Sequence, residues 1–248
     1  MNAPAWLTAR PVAHRALHDA ARGIVENTPA AVDAAIARDY AIEVDIQLAA
    51  DGEVMVFHDD TLDRLTTATG PVGALAAAAL KAVAFRDTSD RMMTLPELLT
   101  RVAGRVPLVI EMKSRFDGDD ALVVRAAGIL ADYAGPAALM SFDPDLVAAA
   151  LRLAPDIPRG FTMERRYDDP EWDFLAPGTK FAWGNLLHVP RTRPDFLAHY
   201  VKDLPSPAVA LARRSLGLPL LTWTVRTAED RAVAARHADQ IIFEGFLP

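Results

Sequence analysis

Cysteine is absent from the 248 residues, which excludes disulfides, thiolate metal sites and a cysteine nucleophile. The absence fits a cytoplasmic protein. No apolar run approaches the roughly 18 residues of a membrane span, so no span is expected. The opening stretch MNAPAWLTARPVAHR has neither a basic start nor an apolar h-region, and no secretory signal is expected. Basic runs stop at two or three residues and the formal net charge is −7, which argues against a nucleic-acid partner. An anionic substrate must then be held by a few placed cations or by a metal ion. No Gly/Ser linker, repeat or low-complexity tract divides the chain, and one domain over residues 1–248 is expected.

What the chain does have is core material and rhythm. Hydrophobic residues make up 51% of it, and 248 residues match one (β/α)₈ barrel, although two smaller domains would also fit that length. Short β-rich runs alternate with capped helices. The strand candidates are 10–15, 41–46, 107–113, 137–142, 157–163, 182–189, 219–225 and 240–244. Several (PLVIEM, LLTWTV, QIIF) are apolar throughout, as strands buried on both faces of a parallel sheet are. Helix starts stand between most of them. Thr28-Pro29, Asp143-Pro144 and Ser206-Pro207 each set a capping residue before a first-turn proline. Thr94 with Glu97, and more weakly Thr227 with Asp230, have capping-box spacing. About eight strand–helix repeats mean an open doubly wound sheet or a closed barrel, and eight strands favour the α/β (β/α)₈ TIM barrel.

One segment breaks the rhythm. Val54–His58 follows the second strand too closely for a parallel crossover, and Asp51-Gly52 is a strong two-residue hairpin turn. An antiparallel hairpin is predicted, with Ala50 facing Glu53, Leu48 facing Met55 and Asp45 facing His58. The turn brings His58 back beside Asp45.

Glu43 and Asp45 lie two apart on a strand and share a face. A pair of carboxylates inside a barrel is costly unless something positive sits between them, and a hard divalent cation, Mg²⁺ or Ca²⁺, is the simplest answer. Glu111 repeats the pattern near the end of an apolar strand, with Lys113 two residues further on the same face. Strand C-terminal ends are where barrel active sites are built. A lone acidic pair is more often a half-exposed edge or an arginine partner; three carboxylates with a histidine folded back beside them favour metal binding. His14 ends the first strand, where histidines are usually structural. Together with His58 it becomes a candidate acid/base partner.

The segments HR (14–15), ENT (26–28), EVD (43–45), DGEVMVFHD (51–59), LDRLT (62–66), EMK (111–113), SF (141–142) and WTV (223–225) resemble the glycerophosphodiester phosphodiesterase family, in order and across nearly the whole chain. The resemblance implies a (β/α)₈ barrel that hydrolyses glycerophosphodiesters to glycerol phosphate and an alcohol with one divalent cation. By position, Glu43, Asp45 and Glu111 match metal ligands, and His14 and His58 match the catalytic pair. Arg15 and Lys113 match positions that meet phosphate oxygens, and residues 60–92 have the size of the family's small cap. The attacker implied is the substrate's own glycerol 2-hydroxyl, giving a cyclic phosphate that water opens. Two departures stand out: Ala16 replaces the usual glycine after HR, and Phe243-Glu244-Gly245 stands where the family typically ends its last strand in Thr-Asp.

Phe142 and Trp223, near strand ends, are candidates to line the substrate pocket, although core packing is the simpler explanation for Phe142. Glu26 and Asn27 are candidate supports of the site, and His18 with Asp19 either reach it or cap a turn. His188, His199 and His237 lack carboxylate company and read as structural or surface residues. A barrel phospholipase of the lysophospholipase D or sphingomyelinase D kind is the alternative within the same chemistry. A non-catalytic phosphodiester-binding barrel and an enolase- or aldolase-like barrel centred on Lys113 are the rivals outside it.

Overall fold

The computed structural model describes residues 3–248, and its strands form one sheet. In chain order these are β1 (Val12–Ala13), β2 (Ala41–Leu48), β3 (Val54–Val56), β4 (Met93–Thr94), β5 (Leu108–Met112), β6 (Ala137–Ser141), β7 (Arg159–Met163), β8 (Phe196–Tyr200), β9 (Leu220–Val225) and β10 (Gln240–Phe243). The run β1-β10-β9-β8-β7-β6-β5-β2 is parallel throughout, and β1 pairs with β2 to close it. This is the (β/α)₈ barrel expected from the alternation. β3 and β4 stand outside the closed ring as an antiparallel extension of β2.

Strand alternation separates the inside of the barrel from the outside. Val12, Ala41, Val109, Ala138, Phe196, Ala198, Leu221 and Ile242 form one apolar cluster with Leu7, and this fills the interior. Gly160 belongs to the same layer: a Cβ there would come within 2.3 Å of the Phe196 ring. The other strand face packs under the helices in the larger clusters. Two or four residues on from these interior positions, the same inward face reaches the C-terminal end of the barrel. Those positions are His14, Asp45, Glu111, Lys113, Phe142, Glu164, Tyr200, Trp223 and Glu244.

The helix starts follow their sequence signals. Thr94 and Glu97 make both halves of a capping box, as do Thr227 and Asp230, and Asp143 and Ser206 cap the helices that begin at Pro144 and Pro207. Thr28 precedes Pro29 as expected, but its hydroxyl donates to the Val25 carbonyl instead of capping.

One strand was misplaced from sequence. Residues 182–189 were expected to be the sixth barrel strand. They instead complete the helix Pro177–Gly184 and lead into the short helix Val189–Thr192, and the sixth barrel strand is β8. Pro177 opens the helix, and Gly184 lets it lie against the Arg165 carbonyl, which a Cβ would meet at 2.1 Å. The apolar look of the run is misleading, because its Leu187 is 60% exposed.

Residues 60–92 hold a β-bridge between Thr61 and Pro71, a 3-10 turn and the helix Ala77–Ala82. Leu62, Val72, Leu80, Phe85 and Met92 pack with Met55 and Phe57 in a separate apolar cluster. The segment therefore braces the hairpin that carries His58. Among the described residues, no helix is long and apolar enough to cross a membrane.

Candidate active site

A cavity of about 900 Å³ opens at the C-terminal end of the barrel. His14, Arg15, Glu43, Asp45, His58, Glu111, Lys113, Phe142 and Trp223 all line it, so every residue singled out for the site from sequence is gathered there.

Register explains how the acids meet. β2 and β5 run in parallel with Asp45 opposite Glu111, and Glu43 stands one inward position below Asp45. One carboxylate oxygen from each of Glu43, Asp45 and Glu111 lies within 4.8 Å of the others, and all three residues are buried. Burial, followed by the like charges of Asp45 and Glu111, drives the Glu43 carboxyl well above its ordinary range. Burial also pushes Asp45 up, but Lys113, His58, Arg15 and a hydrogen bond from Asn27 outweigh it and hold Asp45 well below. The Lys113 ammonium lies 2.7 Å from Glu111 Oε1 and 3.0 Å from Asp45 Oδ1, and although burial opposes its charge, these two acids raise its pKa. An all-oxygen, three-carboxylate cluster left with Glu43 forced toward neutrality suits a hard divalent cation, which would let all three acids ionise.

The hairpin register departs from expectation by one residue. Leu48 pairs with Val54, Gln47 with Met55 and Ile46 with Val56, and Ala49 N–H donates to the Glu53 carbonyl. The loop has three residues, with Gly52 at φ +78°, and is not the two-residue Asp-Gly turn. Phe57, not His58, therefore aligns with Asp45, and its N–H donates to the Asp45 carbonyl at 3.0 Å. The ladder ends at Val56, so the slip does not turn His58 away. Gln47 Nε2 donates to the carbonyls of Phe57 and Asp59, 2.9 Å to each, and fixes the segment over the cavity.

Each cavity histidine is tied through Nδ1 to its own carboxylate. His14 Nδ1 lies 2.7 Å from Glu244 Oε2, and His58 Nδ1 lies 2.8 Å from Asp59 Oδ1. Burial lowers the His14 pKa despite the Glu244 contact. Arg226 donates to both oxygens of Glu244, and Arg64 donates to both of Asp59. Arg64 also reaches Glu26, which accepts from Arg15 at 2.8 Å, so one charged chain links the hairpin to β1. Arg15 Nε is buried without a hydrogen-bond partner among the described residues.

The supporting residues are now distinguishable. Asn27 donates to Asp45 Oδ2 at 2.9 Å from a backbone at φ +58°, a conformation asparagine tolerates. Arg15 and Ala16 are also left-handed, at φ +51° and +64°, and the turn presents Arg15 N–H to Glu43 Oε2 at 2.7 Å. The position held by Ala16 is thus one where glycine costs less. His18 Nε2 sits 3.9 Å from Glu244 Oε2, so His18 reaches the edge of the site, while Asp19 closes a bridge with Ile24. His188 packs against Phe161 with the rings tilted by 58°, 4.0 Å between centroids, and burial lowers its pKa to about 4. His199 is fully buried.

Sequence reasoning missed Glu244 as the partner of His14. Beside the family pattern, the final strand shows only a departure at Phe243-Glu244. It also missed the opposite wall. Glu164, Asp169 and Glu171 each offer an oxygen within 4.8 Å of the others, and all three line the cavity with Trp172, Phe174 and Tyr200. Glu164 follows a strand end two residues after the inward Thr162, which is the signal that identified Glu111. Tyr200 was out of reach because its strand had been placed elsewhere. Burial pushes Glu164 up to about 7, with Asp169 and Glu171 adding to it. The Trp172 indole N–H pulls the other way without forming a well-shaped hydrogen bond.

Known proteins resemble this chain in sequence and in fold. The model of the glycerophosphoryl diester phosphodiesterase family matches residues 14–244. The Bacillus subtilis protein named "Putative glycerophosphodiester phosphodiesterase YhdW" is 35% identical over 97 residues, a match spanning 36% of this chain and 39% of that relative. A phosphodiesterase of Oleispira antarctica, solved in complex with the product sn-glycerol-3-phosphate, superposes with a TM-score of 0.77 at 20% identity, over 94% of this chain and 91% of the other. A glycerophosphodiester phosphodiesterase of Agrobacterium tumefaciens has a TM-score of 0.66 at 26% identity, over 94% of each chain. With a family match that runs from the first site histidine to its carboxylate partner, the chain belongs to the glycerophosphoryl diester phosphodiesterase family.

Proposed function

We propose that the protein hydrolyses glycerophosphodiesters to glycerol 3-phosphate and an alcohol, using Mg²⁺ or Ca²⁺ held by Glu43, Asp45 and Glu111, with His14 and His58 as the acid/base pair. One observation carries the reading. Two imidazoles, each tied at Nδ1 to its own carboxylate, line the same cavity as a buried cluster of three acids.

The Nδ1 contacts orient both rings and leave Nε2 of each for proton transfer. One ring takes the proton of the attacking hydroxyl, and the other gives a proton to the departing alcohol. Attack by the glycerol 2-hydroxyl forms a cyclic phosphate that water then opens. Arg15, whose Nε makes no hydrogen bond and lies 3.9 Å from Asp45 Oδ2, and Lys113 meet the phosphate oxygens. When bound, the cation offsets the negative charge that builds on the phosphoryl oxygens. Phe142 and Trp223 line the space for the rest of the substrate, and residues 60–92 act as a small cap on a single barrel domain. Family membership supports the reaction, and the Oleispira antarctica complex supports the product. The cysteine-free sequence supports a cytoplasmic setting.

The test is release of glycerol 3-phosphate from a glycerophosphodiester, followed by a coupled dehydrogenase assay before and after chelation. Activity abolished by chelator and restored by Mg²⁺ or Ca²⁺ is expected. No release under any condition overturns the reaction, and full activity after chelation overturns the metal.

A further inference from the structure

We infer that the wall opposite the metal cluster is a subsite for a positively charged head group, so that the preferred substrates are zwitterionic glycerophosphodiesters whose alcohol carries an ammonium. The inference rests on the reaction proposed above and adds the chemistry of the leaving alcohol.

The wall is acidic where an anion must bind. Glu164 is 6% exposed, and the charged groups acting most strongly on it are Asp169, Glu171 and Asp203, all of its own sign. The two arginines on the cavity rim are turned elsewhere: Arg226 is engaged by Glu244, and the Arg115 guanidinium lies against Gly73. Three acids facing a site for a phosphodiester anion weaken binding of any substrate that brings only negative charge. They strengthen it when the other end of the substrate is a cation.

The surroundings suit an organic cation better than a hydrated metal ion. Phe116, Phe142, Trp172, Phe174, Tyr200 and Trp223 line the same cavity as the acids. Their rings adjoin in a chain: Phe174 to Phe116 at 5.0 Å, Trp172 to Phe142 at 5.1 Å, Phe142 to Trp223 at 5.4 Å and Trp223 to Tyr200 at 5.1 Å. Aromatic faces beside carboxylates bind alkylammonium groups through cation–π attraction and desolvation. A second, independent sign of a ligand lies on the same strand face. Thr162 is 1% exposed and lines the cavity, and its hydroxyl has no hydrogen-bond partner among the described residues. A buried hydroxyl left unpaired is costly, and a polar substrate group satisfies it.

The experiment compares two esters of one shape. Glycerophosphocholine carries the trimethylammonium, and the glycerophosphodiester of 3,3-dimethylbutanol replaces that nitrogen by carbon. For the wild type, kcat/KM is expected to favour the choline ester by about tenfold, the size of one desolvated cation–π and acid contact. Glu164→Gln is expected to lower the choline ester's kcat/KM more than the carbon isostere's, so that the ratio shrinks. Tetramethylammonium provides a readout that needs no turnover. It should quench the fluorescence of Trp172, measured as the difference between wild type and Trp172→Phe, and bind more weakly in Glu164→Gln. Equal kcat/KM for the two esters, or tetramethylammonium binding unchanged by Glu164→Gln, overturns the head-group subsite while leaving the phosphodiesterase reading intact. Failure to hydrolyse either ester overturns that reading instead, and the tetramethylammonium titration still decides the subsite.

Discussion

The two walls of the cavity handle buried acid in opposite ways. On the wall built from β1, β2 and β5, each carboxylate has a partner: Arg15 N–H for Glu43, Asn27 and Lys113 for Asp45, and Lys113 for Glu111. On the wall at the end of β7, Glu164, Asp169 and Glu171 lie together, and burial, with the like charges of Asp169 and Glu171 added to it, raises the Glu164 pKa. The lesson is that a cluster of acids does not by itself define a metal site. The cations around the first cluster suit the metal and phosphate proposed for it, whereas the aromatic rings around the second suit the organic cation inferred there.

Substitutions sharpen the contrast, and the largest effects belong to the partnered wall. His14→Ala and His58→Ala are each expected to lower kcat by about 10²–10⁴-fold, measured on a glycerophosphodiester. Full turnover in either variant removes that ring from the chemistry. Glu244→Gln should cost about 10–100-fold, because it keeps the shape of the side chain and loses the carboxylate that orients His14. If Glu244 acts through His14, the same substitution in a His14→Ala background adds little; additive losses contradict that link.

On the other wall the expected effect is on stability and depends on pH. The Glu164 carboxyl sits at about 7 in the folded protein, above the ordinary 4.5. Between those values the folded chain holds more protons than the unfolded chain, so stability declines as pH rises through the window and the deficit is complete above it. Glu164→Gln removes the deficit. Its Tm should exceed that of the wild type at pH 8 and converge on it as the pH falls below 4.5, and a Tm difference independent of pH contradicts the assignment. The smallest change tests the backbone of the first wall. Ala16→Gly relieves a left-handed alanine and should raise stability by roughly 0.5–1 kcal/mol in urea unfolding. A loss of stability would mean that the buried methyl matters more than the strain.

The partnered wall was also the legible one. Its residues come from contiguous runs, HR, EVD and EMK, in which period-2 spacing along a strand already states which side chains share a face. The hairpin was visible in Asp51-Gly52, but its register was not, because the same dipeptide serves two- and three-residue loops with a left-handed Gly52 in both, and only Asp51, which is not left-handed here, distinguishes them. The opposite wall draws Glu164 from just past a strand end and Asp169, Glu171 and Trp172 from the single short 3-10 turn Pro170–Trp172 and its cap, too short a piece for periodicity to bring residues together. Tyr200 was hidden for another reason. An apolar run at 182–189 looked more strand-like than Phe196–Tyr200, which carries a histidine at its fourth position. Glu244 was legible as a charged residue at the end of the last strand. Comparison with a family pattern obscured a role that inward alternation would have assigned.

The account stands most directly on metal binding at the first wall. Calorimetric titration of Mg²⁺ and Ca²⁺ into chelator-stripped protein should give one cation per chain, and that binding should disappear when Glu43→Gln and Glu111→Gln are combined. Absence of binding in the wild type, or the same affinity and stoichiometry in the double variant, would contradict it.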